Sequence, residues 1–213
     1  MSSTVNVYGH AGKVIYGQSK IGVLPLDNKR GYYGIWLVIA TETCLFLSLF
    51  SAYLLMGSSK FRWQTNRPPK LGYALALLAI LIGSSIVLMI GERMVKQRRY
   101  FAARVTLVIT ILMGFGFLAL QAFEYLDHWT TLTPDTNAYG SIFYTITTLH
   151  AAHVIVGLLL LCYVLFLPQY EPASDSPHLP YKTVSLYWHF VDVVWIFVVV
   201  ILYLIPHGIV YGF

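Results

Sequence analysis

His189 and Asp192 stand inside Tyr187-Trp188-His189-Phe190-Val191-Asp192-Val193-Val194-Trp195, a run otherwise apolar enough to cross a membrane. An ionisable group at the bilayer centre costs at least about 2.5 kcal/mol on insertion scales, so such groups face protein, water or a partner. The chemistry open to them is proton exchange or hydrogen-bonded bridging between helices. Glu42, His150 and His153 pose the same question in other apolar runs. Ser185, His189 and Asp192, spaced by four and three, share one helix face, and so do Gln121, Glu124 and His128.

Other chemistries find little support. His150 and His153, at i and i+3, face the same way, which leaves His153 with His189 as the single pair able to sandwich a haem. Hydrogen bonding of that pair inside a polar seam is the favoured role. Cys44 and Cys162 fall at different depths of different apolar runs and no CxxC pair is present, so both read as core thiols. There is no HExxH, no phosphate-binding glycine loop and no GxSxG. The expectation is a chain with no catalytic residues, no metal and no redox centre of its own.

The elements that position these residues are membrane helices. Of 213 residues, 57% are hydrophobic and 11% charged, against roughly 25% charged in a soluble domain. Five apolar segments, at about 32–57, 71–91, 100–125, 139–167 and 183–205, each exceed the ~20 residues needed to cross a bilayer. They predict an all-α, polytopic five-helix bundle over residues 31–213. β-Barrel strands of about ten alternating residues would not give such runs. Residues 1–30 are polar, lack the apolar h-region of a signal peptide, and are expected to form a tail.

Charge sets the orientation. Lys13, Lys20, Lys29, Arg30, Arg93, Lys96, Arg98, Arg99, Arg104 and Lys182 fall on one side of a five-span chain, and Lys60, Arg62, Arg67 and Lys70 on the other. The positive-inside rule then predicts an inner N-terminus and an outer C-terminus. The net charge of +5 is a topogenic and headgroup signal, and no nucleic-acid partner is expected. Arg93, Arg98, Arg99 and Arg104 are candidates for phospholipid headgroups. Trp36, Trp63, Trp129 and Tyr139 lie near the predicted boundaries, as interfacial aromatics do.

Depth follows from a rise of about 1.5 Å per residue. Glu42 and His150 both come out near the midplane, which predicts a bridge between the first and fourth helices. His153 and His189 come out about 9 Å from the inner boundary by the same rise. With Asp192 one turn further in, they are expected to form a second bridge.

With these residues in place, the chain from Arg30 to Tyr203 resembles subunit III of the haem-copper terminal oxidases. The run Tyr187 to Trp195 is similar to that family's last helix. Tyr139-Gly140-Ser141-Ile142-Phe143, followed by Leu149-His150-Ala151-Ala152-His153-Val154-Ile155-Val156-Gly157, resembles its YGSxFF and FHGxHVxxG motifs. Leu120-Gln121-Ala122-Phe123-Glu124-Tyr125 resembles LQxxEY. Thr41-Glu42, Phe46 and Phe50-Ser51-Ala52-Tyr53 resemble the helix that carries the family's SE pair, and Trp63, Pro68 and Pro69 its following loop.

The resemblance implies a non-catalytic subunit of the five-helix bacterial form, in the cytoplasmic membrane, docked on catalytic subunit I and on subunit II. Haem and copper reside in those partners, phospholipid is bound, and a larger respiratory supercomplex is a possible setting. Glu42 corresponds to the family's carbodiimide-reactive intramembrane carboxylate. The second helix reads Gly83-Ser84-Ser85 where many relatives carry WAHH, so no role of those histidines carries over. A quinol oxidase subunit or a nitric oxide reductase accessory protein would share these helices. A proton-coupled transporter, as a different class, usually shows repeats and broken helices, and neither is found here.

Overall fold

The computed structural model describes residues 28–58, 70–128, 138–167 and 179–206. Residues 1–27 of the expected tail lie outside the described residues, as do Trp63, Pro68, Pro69 and Trp129.

Five long helices account for nearly all of what is described: α1 (Asn28–Ser58), α2 (Leu71–Lys96), α3 (Tyr100–His128), α4 (Ala138–Phe166) and α5 (Leu179–Val198). α5 continues as a π-helical segment, Val199–Leu204. Each helix contains a stretch long and apolar enough to cross a bilayer. Without water to satisfy them, backbone groups in hydrocarbon must bond within the helix, which is why apolar runs of this length fold this way. The chain is an integral membrane protein of the all-α class.

α5 is the hub, in contact with α1, α2 and α4, while α2 packs most extensively on α3. α1 is peripheral and touches α4 and α5. Only 11% of its apolar window is buried, against 56% for α5. Cys44, expected in the core, lies exposed on α1, because the helix buries little more than the stripe through Phe46, Phe50 and Tyr53.

Small residues allow the close approaches that hold the bundle together, as expected where lipid removes most of the hydrophobic drive between helices. Trp188 of α5 is fully buried in a slot between Gly114 of α3 and Gly157 of α4. A Cβ on Gly157 would stand 2.8 Å from the indole, and one on Gly114 3.0 Å from it. The Trp188 Nε1–H donates to Ser84 Oγ of α2 at 2.9 Å, so one side chain ties four helices together. At Gly91 of α2 a Cβ would collide with the Tyr181 hydroxyl and Thr106 Oγ1.

The α2–α3 connection is three residues long. Arg99 N–H donates to the Met94 carbonyl at 2.9 Å and Arg98 N–H to the Val95 carbonyl at 3.0 Å, the two bonds of a Schellman cap. Arg98 takes the left-handed position usually given to glycine, with φ 59°. At the opposite end, Lys70 Nζ donates to Asp127 Oδ2 at 2.7 Å. That hydrogen bond and the carboxylate's charge raise the Lys70 pKa above its usual value. Both partners are solvent-accessible, so the pair adds little to stability.

Candidate functional site: three polar clusters inside the bundle

The first cluster joins α1 to α4. His153 Nε2 lies 2.9 Å from Glu42 Oε2, and its Nδ1 lies 2.7 Å from the Leu149 carbonyl. A carbonyl only accepts, so Nδ1 carries a proton. A second proton is then shared between Nε2 and Oε2, and the pair is neutral overall whether histidine or carboxyl holds it. The Phe46 ring covers His153 at 5.1 Å, and the pair is partly accessible at the α1 edge.

This replaces the expected Glu42–His150 bridge. His150 and His153 differ by less than one turn, about 4.5 Å of rise. Depth counted from the ends of apolar segments does not separate two positions this close. His150 is instead fully buried against the Trp195 ring, at 4.8 Å between centroids.

The second cluster joins α2 to α5. Ser85 Oγ bonds Asp192 Oδ2 and lies 2.7 Å from His189 Nδ1. Since the hydroxyl has one proton and gives it to the carboxylate, His189 Nδ1–H donates to Ser85. Ser185 Oγ–H then donates to His189 Nε2 at 3.2 Å. The shared face of Ser185, His189 and Asp192 is as expected, but His153 belongs to the first cluster and the bridging group is Ser85. Only the polar Ser84-Ser85 pair inside an apolar run could have signalled it. Both ring nitrogens of His153 and of His189 are occupied by protein, so the two do not form a haem-ligating pair.

The third cluster lies at the other end. Gln121 Nε2 donates to Glu124 Oε2 at 3.0 Å, and Tyr203 Oη donates to Glu124 Oε1 at 2.9 Å. Both Gln121 and Glu124 are buried. The π-helical segment carries Tyr203, and Tyr139 Oη donates to the Leu202 carbonyl in that segment at 3.0 Å. Tyr139 is therefore a core residue and no interfacial belt member. His128 is the last residue of α3, and its side chain lies outside the described residues.

Arg93, Arg98, Arg99 and Arg104 are all exposed around the α2–α3 turn. Among the described residues no group of three or more His, Cys, Asp or Glu side chains has the geometry to hold a metal. The fold and its clusters define a class: a polytopic helical membrane protein whose intramembrane carboxyl groups Glu42, Glu124 and Asp192 are each hydrogen-bonded to side chains of the bundle.

Comparison with known proteins gives the family. Residues 26–206 match the profile described as cytochrome c oxidase subunit III. The chain is 37% identical over 177 residues to cytochrome c oxidase subunit 3 of Synechocystis sp., covering 81% of this chain and 75% of the relative. It is 33% identical over 187 residues to that of Bacillus subtilis (84% and 88%), and 32% identical over 186 residues to that of Myxine glutinosa (84% and 70%). The chain belongs to the cytochrome c oxidase subunit III family. It is a non-catalytic subunit of a haem-copper oxidase and works within a complex of other oxidase subunits.

Proposed function

We propose that this chain docks on subunits I and II of a terminal oxidase in a bacterial cytoplasmic membrane, with the N-terminus inside, and steadies the catalytic subunit during proton-coupled reduction of oxygen to water. Haem and copper belong to those partners, and reduced cytochrome c is the donor. A larger supercomplex would extend the same assembly. The observation that carries the reading is the family match over residues 26–206. A strain lacking this chain tests it: the remaining complex should keep its haem spectrum per catalytic subunit, and loss of a haem band would place a redox centre here after all.

Within that role the Glu42–His153 and Ser85–His189–Asp192 clusters are structural ties. Glu42→Gln separates this from a proton relay, because the glutamine amide donates to His153 Nε2 but cannot titrate. Assembly and proton pumping should both survive, within about two-fold. An assembled oxidase that consumes oxygen but no longer pumps would favour the relay.

Arg93, Arg98, Arg99 and Arg104 give anionic phospholipid a site on the inner face, each charge near the surface contributing about 1 kcal/mol. Replacing all four with glutamine should remove phospholipid from the complex in native mass spectra. An unchanged lipid count would leave them as topogenic charge alone.

A further inference from the structure

Five polar atoms among the described residues are buried without a hydrogen-bond partner: Nδ1 and Nε2 of His150, Nε1 of Trp195, Oδ1 of Asp192 and Oε1 of Gln121. Native interiors leave few such atoms, and each demands an explanation. These are not scattered. The rings of His150 and Trp195 lie 4.8 Å apart, and Phe117 meets them at 5.8 Å and 5.0 Å, which puts α3, α4 and α5 at one level there. Asp192 is one turn before Trp195 on α5, and Gln121 one turn after Phe117 on α3, a helix that runs in the same direction. By helical rise the four residues that carry these atoms fall within about 10 Å along the bundle.

The mixture of donors and acceptors identifies the ligand. Trp195 Nε1 only donates, Asp192 Oδ1 and Gln121 Oε1 accept, and a neutral imidazole does one of each. A cation would face the indole N–H, and an anion would face the two oxygens. Water is small, neutral, and both donates and accepts, and buried waters characteristically take two to four such partners.

We propose that internal water occupies the middle of this bundle, with its central site between His150 and Trp195 and its continuations at Asp192 Oδ1 and Gln121 Oε1. Water then joins the cluster of Ser85, His189 and Asp192 to that of Gln121, Glu124 and Tyr203, which share no direct hydrogen bond. This accounts for a histidine buried completely among Phe46, Phe117 and Trp195. It also gives the closing tryptophan of the Tyr187–Trp195 run a task beyond packing.

Two measurements on the intact complex decide it. In a cryo-EM map that resolves buried waters elsewhere in the subunit, a peak should stand about 3 Å from a ring nitrogen of His150 and from Trp195 Nε1. In the His150→Phe complex that central peak should vanish while the Glu42–His153 pair persists. After transfer to D2O, ultraviolet resonance Raman difference spectra against Trp195→Phe should show the Trp195 indole deuterated. A dry contact between the rings, a His150 nitrogen bonded to a protein atom, or an indole that stays protonated would each overturn the proposal.

Discussion

Trp188→Ala should abolish accumulation of the assembled subunit. The indole fills the slot between Gly114 and Gly157 and donates to Ser84, so its removal opens a cavity where α2, α3, α4 and α5 meet and takes away the hydrogen bond that ties α5 to α2 there. Large-to-small core changes of this kind cost about 3–5 kcal/mol. Gly157→Leu should fail equally from the opposite direction, because its Cβ alone already meets the ring at 2.8 Å. Quantifying subunit III against the catalytic subunit in purified membranes reads both. Near-normal yield of Trp188→Ala would show that the slot does not hold the bundle together.

Glu42→Leu should loosen α1 while leaving the other four helices in place. α1 buries little surface, and the proton shared with His153 ties it to α4. Leucine leaves His153 Nε2 unpaired at membrane depth, at a cost of about 1–3 kcal/mol, or roughly 5- to 150-fold in the opening equilibrium. Hydrogen exchange of α1 amides should accelerate by a factor in that range, with α2 and α3 unchanged. Equal protection in wild type and variant would mean that α1 is held by packing alone. Set beside Glu42→Gln, the pair of variants distinguishes a lost hydrogen bond from a lost proton.

The five helices were legible because apolar runs of more than twenty residues admit little else. Their ends were less so. α2 continues past residue 91 through Glu92, Arg93 and Lys96, since charge ends the hydrocarbon span but not the helix, and only the cap at Arg98 stops it. α5 starts at Leu179, with Pro180 in its first turn, where proline is tolerated though it reads as a breaker. Which residues are polar and inward was also plain from composition. Their pairing was not, because the step from His150 to His153 is less than one turn, finer than a depth counted along helices separates. Ser85 and Tyr203 were missed for a different reason: serine and tyrosine are common in membrane helices, and only the partner they meet makes them notable. The π-helical segment left no periodic signal in Val199–Leu204.

The central claim is that this chain serves inside a terminal oxidase, and gentle solubilisation followed by affinity capture of the chain tests it most directly. The captured material should show a reduced-minus-oxidised haem spectrum and cyanide-sensitive oxygen uptake, driven by reduced cytochrome c and not by quinol. A colourless, inactive and monodisperse preparation would contradict the account and point to a protein that works alone in the membrane.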